Sequence, residues 1–348
     1  MIGVSDAVSS AALPLGNTSP VWRWAWHPVA PAAEVTGAAP AQVLVAGEAW
    51  VLARLDGRVV AFEDQCPHRQ SPLSAGDITR AADGTARLTC AYHGWRFDAA
   101  GGCDLMPALG LRDRRRLQKA GRPVALRAAY GVTEAYGLIW LAPREPFAPL
   151  PAFPEWNAPG MTRTSATTVR TSVSPGQLIG NFLATGLLGT VRFPGVPAVG
   201  AVSPAVADVT VCSQTWQVTG VFNGPGGTAP GLTGTAAPRL RKTAGVSGSA
   251  HARLELGHAT IGMLVACQPE DWMTTRVFTL MAFGGIGGED LAVEGSLDTL
   301  STGTLSTDAL STDPLSTDPL SSDLLSSDPL STAWRHLMAR ASATVRTR

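Results

Sequence analysis

Cys66-Pro67-His68, followed after twenty-one residues by Cys90-Ala91-Tyr92-His93-Gly94-Trp95, is the stretch that decides how this chain is read. Each half places a thiol and an imidazole one or two residues apart, and the pairing occurs twice. Two thiolates on one iron and two neutral imidazoles on the other are the ligands of a 2Fe-2S centre of raised potential. Exchanging anionic thiolates for neutral imidazoles lowers the negative charge around the metals and favours the reduced form. Such a centre passes single electrons. Ring N–H groups left outward can bond a carboxylate or lose a proton, tying redox state to protonation. The competing reading is a structural zinc on the same four residues, but zinc fingers usually separate paired ligands by more than one residue.

Outward from this stretch the chain reads as short strands and turns. Residues 42–45, 49–55, 87–91, 95–98 and 137–141 are strand candidates, and Asp56-Gly57 is a hairpin signal. Residues 143–159 then hold six prolines, which puts a connector and a domain boundary near residue 150. Beyond it the pattern predicts a buried helix over 177–191 and strands over 209–221, 252–256, 260–267 and 275–283, with a long loop over 223–249. From Leu300 an LSTDP-like unit recurs every five residues, a period that suits neither helix nor strand and reads as a low-complexity acidic linker. Helical periodicity returns over 334–345, with Trp334, Leu337, Met338 and Ala341 on one face. The expected organisation is a leader (1–20), an all-β cluster domain (21–150), an α+β domain (151–299 with 331–348), and a linker (300–330).

Composition agrees with two folded domains. The chain has 348 residues, 45% of them hydrophobic, and 27 basic residues balance 27 acidic ones. Balanced charge gives no reason to expect nucleic acid or an acidic membrane surface as partner. The balance is uneven along the chain: nine acids and no Lys or Arg lie between Arg276 and Arg335, so the remainder is basic, most densely at Arg114-Arg115-Arg116. Five cysteines are too few and too odd in number for a disulfide framework, and a reducing, cytoplasmic setting is expected. Cys103, Cys212 and Cys267 lack partners at metal spacing and read as small apolar residues. No apolar run is long enough to cross a membrane, and no early basic residue marks a signal peptide.

The sequence resembles the Rieske non-haem iron oxygenases, in particular those built from one kind of α subunit, of the O-demethylase and monooxygenase type. The likeness runs through Trp26-His27-Pro28-Val29-Ala30, Cys66-Pro67-His68-Arg69, Pro72-Leu73-Ser74-Ala75-Gly76, the segment from Cys90 to Asp98, and Gly102-Cys103. It continues more weakly through Asn181-Phe182-Leu183, Cys267-Gln268-Pro269, Glu289-Asp290 and Trp334-Arg335-His336-Leu337. The resemblance implies a Rieske 2Fe-2S cluster on Cys66, His68, Cys90 and His93. It also implies a helix-grip α+β domain that in the family holds one mononuclear iron and the substrate, and a head-to-tail trimer in which each cluster faces a neighbour's iron.

The second half departs from the family. The positions of its helix-borne iron ligands are Ala184, Leu187 and Arg192, and a facial triad cannot be built from them. Register does not matter here, because no Asp, Glu, His or Cys lies between Glu155 and Asp208. Asp290 matches the later carboxylate only approximately, and His251 and His258 are too badly phased along one strand to share a metal. The expectation is therefore an intact 2Fe-2S cluster without mononuclear Fe(II). Its function would be that of an electron-transfer or partner subunit of an oxygenase system, fed by a ferredoxin or reductase and joined to a homologous α subunit or to itself as a homotrimer. The alternative is a self-sufficient Rieske-type oxidoreductase acting on a small organic substrate through an unconventional site, and a third is a pseudoenzyme whose cluster only supports folding. No G-x-G-x-x-G unit for a nicotinamide or flavin is present, so electrons must come from another protein.

Overall fold

The computed structural model describes residues 16–107, 124–184, 206–223, 239–285 and 328–347. The first half is a set of small antiparallel sheets. Its strands are β1 (His27–Pro31), β2 (Ala41–Val45), β3 (Glu48–Leu55), β4 (Arg58–Glu63), β5 (Asp77–Arg80), β6 (Ala86–Thr89), β7 (Arg96–Phe97), β8 (Cys103–Leu105), β9 (Gly131–Ala135) and β10 (Leu138–Ala142). They pair as β1-β10-β9, β2-β3-β4 and β5-β6-β7-β8. The β3–β4 hairpin turns on Asp56 and Gly57, whose φ values of 48° and 82° are those of a type I′ turn. Alternate residues of these strands, among them Val51, Leu55, Phe62, Leu88 and Phe97, close a small core that reaches Cys66, Cys90 and Trp95.

The second half is built on one eight-stranded antiparallel sheet. Its elements are β11 (Thr162–Arg163), β12 (Thr167–Thr171), α1 (Pro175–Ala184), β13 (Val206–Cys212), β14 (Gln217–Asn223), β15 (Arg239–Gly245), β16 (Ser249–Leu256), β17 (Ala259–Pro269), β18 (Thr275–Gly284) and α2 (Pro329–Val345). Strand order is β11-β18-β17-β16-β15-β14-β13, with β12 also on β18. The described strands on the two sides of residue 150 thus belong to separate sheets, and the fold class is α+β. Both helices lie on one face, where Val218, Leu240, Ala244, Ala252 and Leu254 meet Ile179, Phe182, Leu330, Trp334 and Met338. His27 ties the halves together: it is fully buried, with Nδ1 3.0 Å from the Cys267 carbonyl and Nε2 2.6 Å from the Trp22 carbonyl. Burial pulls its pKa down against the opposing pull of those two oxygens.

Several elements differ from expectation. Residues 209–221, expected as one strand, lie in two, β13 and β14; the connecting turn (213–216) contains no Gly or Pro to mark it, and Trp216 takes the positive φ of 51° instead. β15 lies inside the expected loop, hidden because Lys242 occupies an inward position and breaks the apolar alternation. α1 begins at Pro175 behind a capping box: the Gln177 N–H donates to Ser174 Oγ at 3.3 Å, and the Ser174 N–H donates to Gln177 Oε1 at 3.4 Å. Its expected continuation over 185–191 lies outside the described residues. α2 starts at Pro329, inside the segment assigned to the linker, with the Asp328 carboxylate accepting from the Ser331 N–H at 2.7 Å. The end of the repeat thus caps a helix through Asp328 and buries Leu330 completely. The assigned leader also reaches into the fold, where Asn17 is buried and donates to Thr275 Oγ1 at 3.0 Å. The rest of the repeat falls outside the described residues.

Candidate metal centre

Two loops of one design present the four candidate ligands. The Cys66 N–H donates to the Ser71 carbonyl at 2.9 Å and the Gln70 N–H to the Cys66 carbonyl at 2.7 Å; the matching bonds in the second loop are Cys90 to Trp95 at 2.8 Å and Gly94 to Cys90 at 3.0 Å. Each loop reverses through a left-handed residue at the fifth position, Gln70 (φ 56°) and Gly94 (φ 66°). The cysteines open the loops and the histidines sit on their crests. Asp64 anchors the first loop. It is buried, and its carboxylate accepts from the Ser74 N–H at 2.7 Å, the Ser74 hydroxyl at 2.6 Å and Gln42 Nε2 at 2.7 Å.

The ligands fall into two pairs. Cys66 and Cys90 are buried side by side; burial and the neighbouring Cys90 thiol push Cys66 up to about 11 despite opposing backbone N–H groups. Thiols held this way ionise only when a metal supplies the compensating charge. The rings of His68 and His93 lie 4.7 Å apart, centroid to centroid, and His68 stacks on Trp95 at 4.7 Å and 5°. Burial, then the charges of His93 and Arg69, lower the His68 pKa, which keeps the ring neutral as a metal ligand requires. His93 Nδ1 is buried with no hydrogen-bond partner, the orphan that a metal ion would satisfy. Among the described residues no three His, Cys, Asp or Glu side chains converge on a single ion. Thiol neighbours thiol and imidazole neighbours imidazole, the pairing that a binuclear centre with two Cys and two His would use. Tyr92 lies against His93 at 3.9 Å and is 56% exposed, so the histidine edge of the site borders solvent.

Elsewhere the expected residues are scattered. Ala184 is the last residue of α1, while Leu187, Arg192, Asp290 and Arg114-Arg115-Arg116 lie outside the described residues. Cys103 and Cys212 are half-buried strand residues, and burial pushes the enclosed Cys267 thiol up to about 12. His258 is exposed in the turn after β16 and lines no described cavity, whereas His251 lines one on the sheet face away from the helices. Two features were not foreseen. Lys242 is 1% exposed beneath α1, its Nζ donating to the carbonyls of Phe182 at 2.8 Å and Leu183 at 3.4 Å, with the Phe182 and Phe222 rings alongside. Burial lowers its pKa to about 8 against the attraction of Asp328. Glu155, 1% exposed, holds His251 Nε2 at 2.8 Å and Arg253 at 3.1 Å. An inward Lys between Arg241 and Thr243 was the available signal for the first; nothing local announces the second.

The paired-loop geometry lies within residues 25–115, which match the Rieske [2Fe-2S] domain. The chain carries a Rieske [2Fe-2S] domain. Around this domain it is 35% identical over 133 residues to methylxanthine N3-demethylase NdmB of Pseudomonas putida, which is 37% of this chain and 35% of that protein. It is also 34% identical over 134 residues to the 5,5'-dehydrodivanillate O-demethylase oxygenase subunit of a Sphingobium species, covering 38% of this chain and 29% of that one. The sequence match thus spans about a third of these relatives' length. Beyond the Rieske domain the likeness is one of fold: apo dicamba monooxygenase superposes with a TM-score of 0.71 at 20% identity, covering 94% of this chain and 99% of that one. NdmB of P. putida CBB5 superposes with a TM-score of 0.68 at 18% identity, covering 96% and 94%. The chain is homologous to Rieske non-haem iron oxygenases. Among the described residues no helix is long and apolar enough to cross a membrane.

Proposed function

We propose that this protein is an electron-carrying Rieske component of an oxygenase system, a partner subunit whose own mononuclear iron site has been lost. Cys66 and Cys90 would supply the thiolates that hold the cluster, and His68 and His93 the imidazoles. When bound, the cluster supplies one-electron transfer. The protein's part is to bury the thiolate end, to orient the imidazoles against Trp95, and to leave the His68–His93 edge and Tyr92 open to a redox partner. Electrons arrive from a separate ferredoxin or reductase and pass to a homologous α subunit that retains its iron, in a mixed head-to-tail trimer in the cytoplasm.

The observation that carries this reading is what lies beneath α1. The stretch from Glu155 to Asp208 has no Asp, Glu, His or Cys between its ends, and the interior beside the end of α1 holds the ammonium of Lys242. A tethered cation there repels a divalent ion, and carbonyls already bonded to Nζ offer it little. These residues do not fit a mononuclear iron. The test is iron and acid-labile sulfide per chain with EPR of the reduced, anaerobically purified protein. Two irons, two sulfides and a Rieske spectrum are expected; a third, high-spin iron per chain overturns the reading.

A further inference from the structure

The sheet face turned away from the helices is not an ordinary solvated surface. The prolyl connector crosses over it and forms a half-open cavity of about 400 Å³ with β14, β15 and β16. Strand register sets Arg241 directly opposite Arg253, with Arg239 opposite Glu255. Like charges in directly paired positions destabilise a sheet unless something neutralises them. Arg253 is neutralised twice, by Glu155 at 3.1 Å and Glu255 at 2.8 Å. Both carboxylates that line the cavity are thereby engaged, and the other Glu155 oxygen is held by His251. Arg239 and Arg241 have no carboxylate partner among the described residues. Among the described residues the cavity therefore carries more positive than negative charge, on the wall that holds Arg239 and Arg241. The connector adds the apolar rings of Pro149, Pro151 and Pro154 to the lining.

We propose that this cavity is a binding site for a small organic carboxylate, with its anionic group on the guanidinium of Arg241, supported by Arg239, and its apolar body beneath the connector prolines. A guanidinium fork matches a carboxylate in a plane and holds it by paired charge-assisted bonds, while proline rings offer a flat apolar cover. The buried Glu155 is a positioning residue. By taking up Arg253 and His251 it keeps the floor of the cavity in place and leaves Arg241 without a carboxylate partner among the described residues. The site lies across the sheet from α1, so it is independent of the iron question.

The test is calorimetric titration of the whole, cluster-loaded protein with benzoate, benzamide and inorganic phosphate, in parallel with R241Q and R239Q. Arg241 and Arg239 are exposed strand residues, so both variants should fold, which circular dichroism and the visible spectrum of the cluster will check. Benzoate should bind wild type, benzamide at least about tenfold more weakly, and R241Q should lose about tenfold or more in benzoate affinity, with a smaller loss in R239Q. Equal binding of benzamide, unchanged benzoate binding by R241Q, or binding of phosphate without benzoate would each overturn the proposal.

Discussion

Replacing Lys242 by Met removes a charge from the interior while keeping a long, unbranched side chain. The folded-state pKa of Lys242 is about 8, against an ordinary value of 10.5. A lysine whose pKa is lowered on folding is less willing to be charged inside than outside. Below about pH 8 both states carry the proton and the folded protein bears the full penalty of the buried charge. Between about pH 8 and 10.5 the unfolded chain keeps the proton while the folded one releases it, so stability rises with pH across that window. The slope is ~1.4 kcal/mol per pH unit and the total up to ~3 kcal/mol. The Phe182 and Leu183 carbonyls and the two ring faces act against burial and make this an upper bound. Urea unfolding of wild type and K242M, followed by tryptophan fluorescence from pH 7 to 10.5, isolates the effect as the difference between two curves in which other groups cancel. At pH 7 the variant loses hydrogen bonds at the end of α1, worth about 1–3 kcal/mol, against relief of the charge penalty, so its sign there is not diagnostic. The expected result is a wild-type advantage that grows with pH above 8. Parallel curves across the window would refute the claim that this ammonium is held in the interior.

Other outcomes follow from the same geometry. C90S should abolish the visible absorption of the cluster and reduce bound iron and sulfide toward zero, whereas C212S should leave both unchanged; iron analysis of the purified variants decides. E155Q should destabilise by about 2 kcal/mol, because it strips the charged hydrogen-bond acceptor from Arg253 and His251. Burial pushes the Glu155 pKa up, but His251 and Arg253 outweigh it and hold it below its ordinary 4.5. Wild type therefore loses this contribution as pH falls below about 4.5, and the variant should show a shallower acid limb in urea titrations. D328A should cost ~1 kcal/mol for the lost cap of α2, with D328N recovering most of it in thermal melts.

Sequence alone determined the chemistry of the first domain. Four candidate ligands at fixed spacing inside two short loops are a local pattern, and the backbone bonds that shape each loop span only a few residues. The hairpin at Asp56-Gly57, the strands around it and the amphipathic face through Trp334 were legible for the same reason, since periodicity and turn chemistry are properties of neighbours. Tertiary structure decided what neighbours cannot encode. Lys242 reads as one more charged residue in a basic run until β15 turns it inward under α1, 60 residues away in the chain. Glu155 reads as an acid in a prolyl connector until the fold buries it against a histidine 96 residues away in the chain. Charge is recorded in the sequence, but its cost depends on how much water is left around it and what faces it, and those are set by strands whose pairing is non-local.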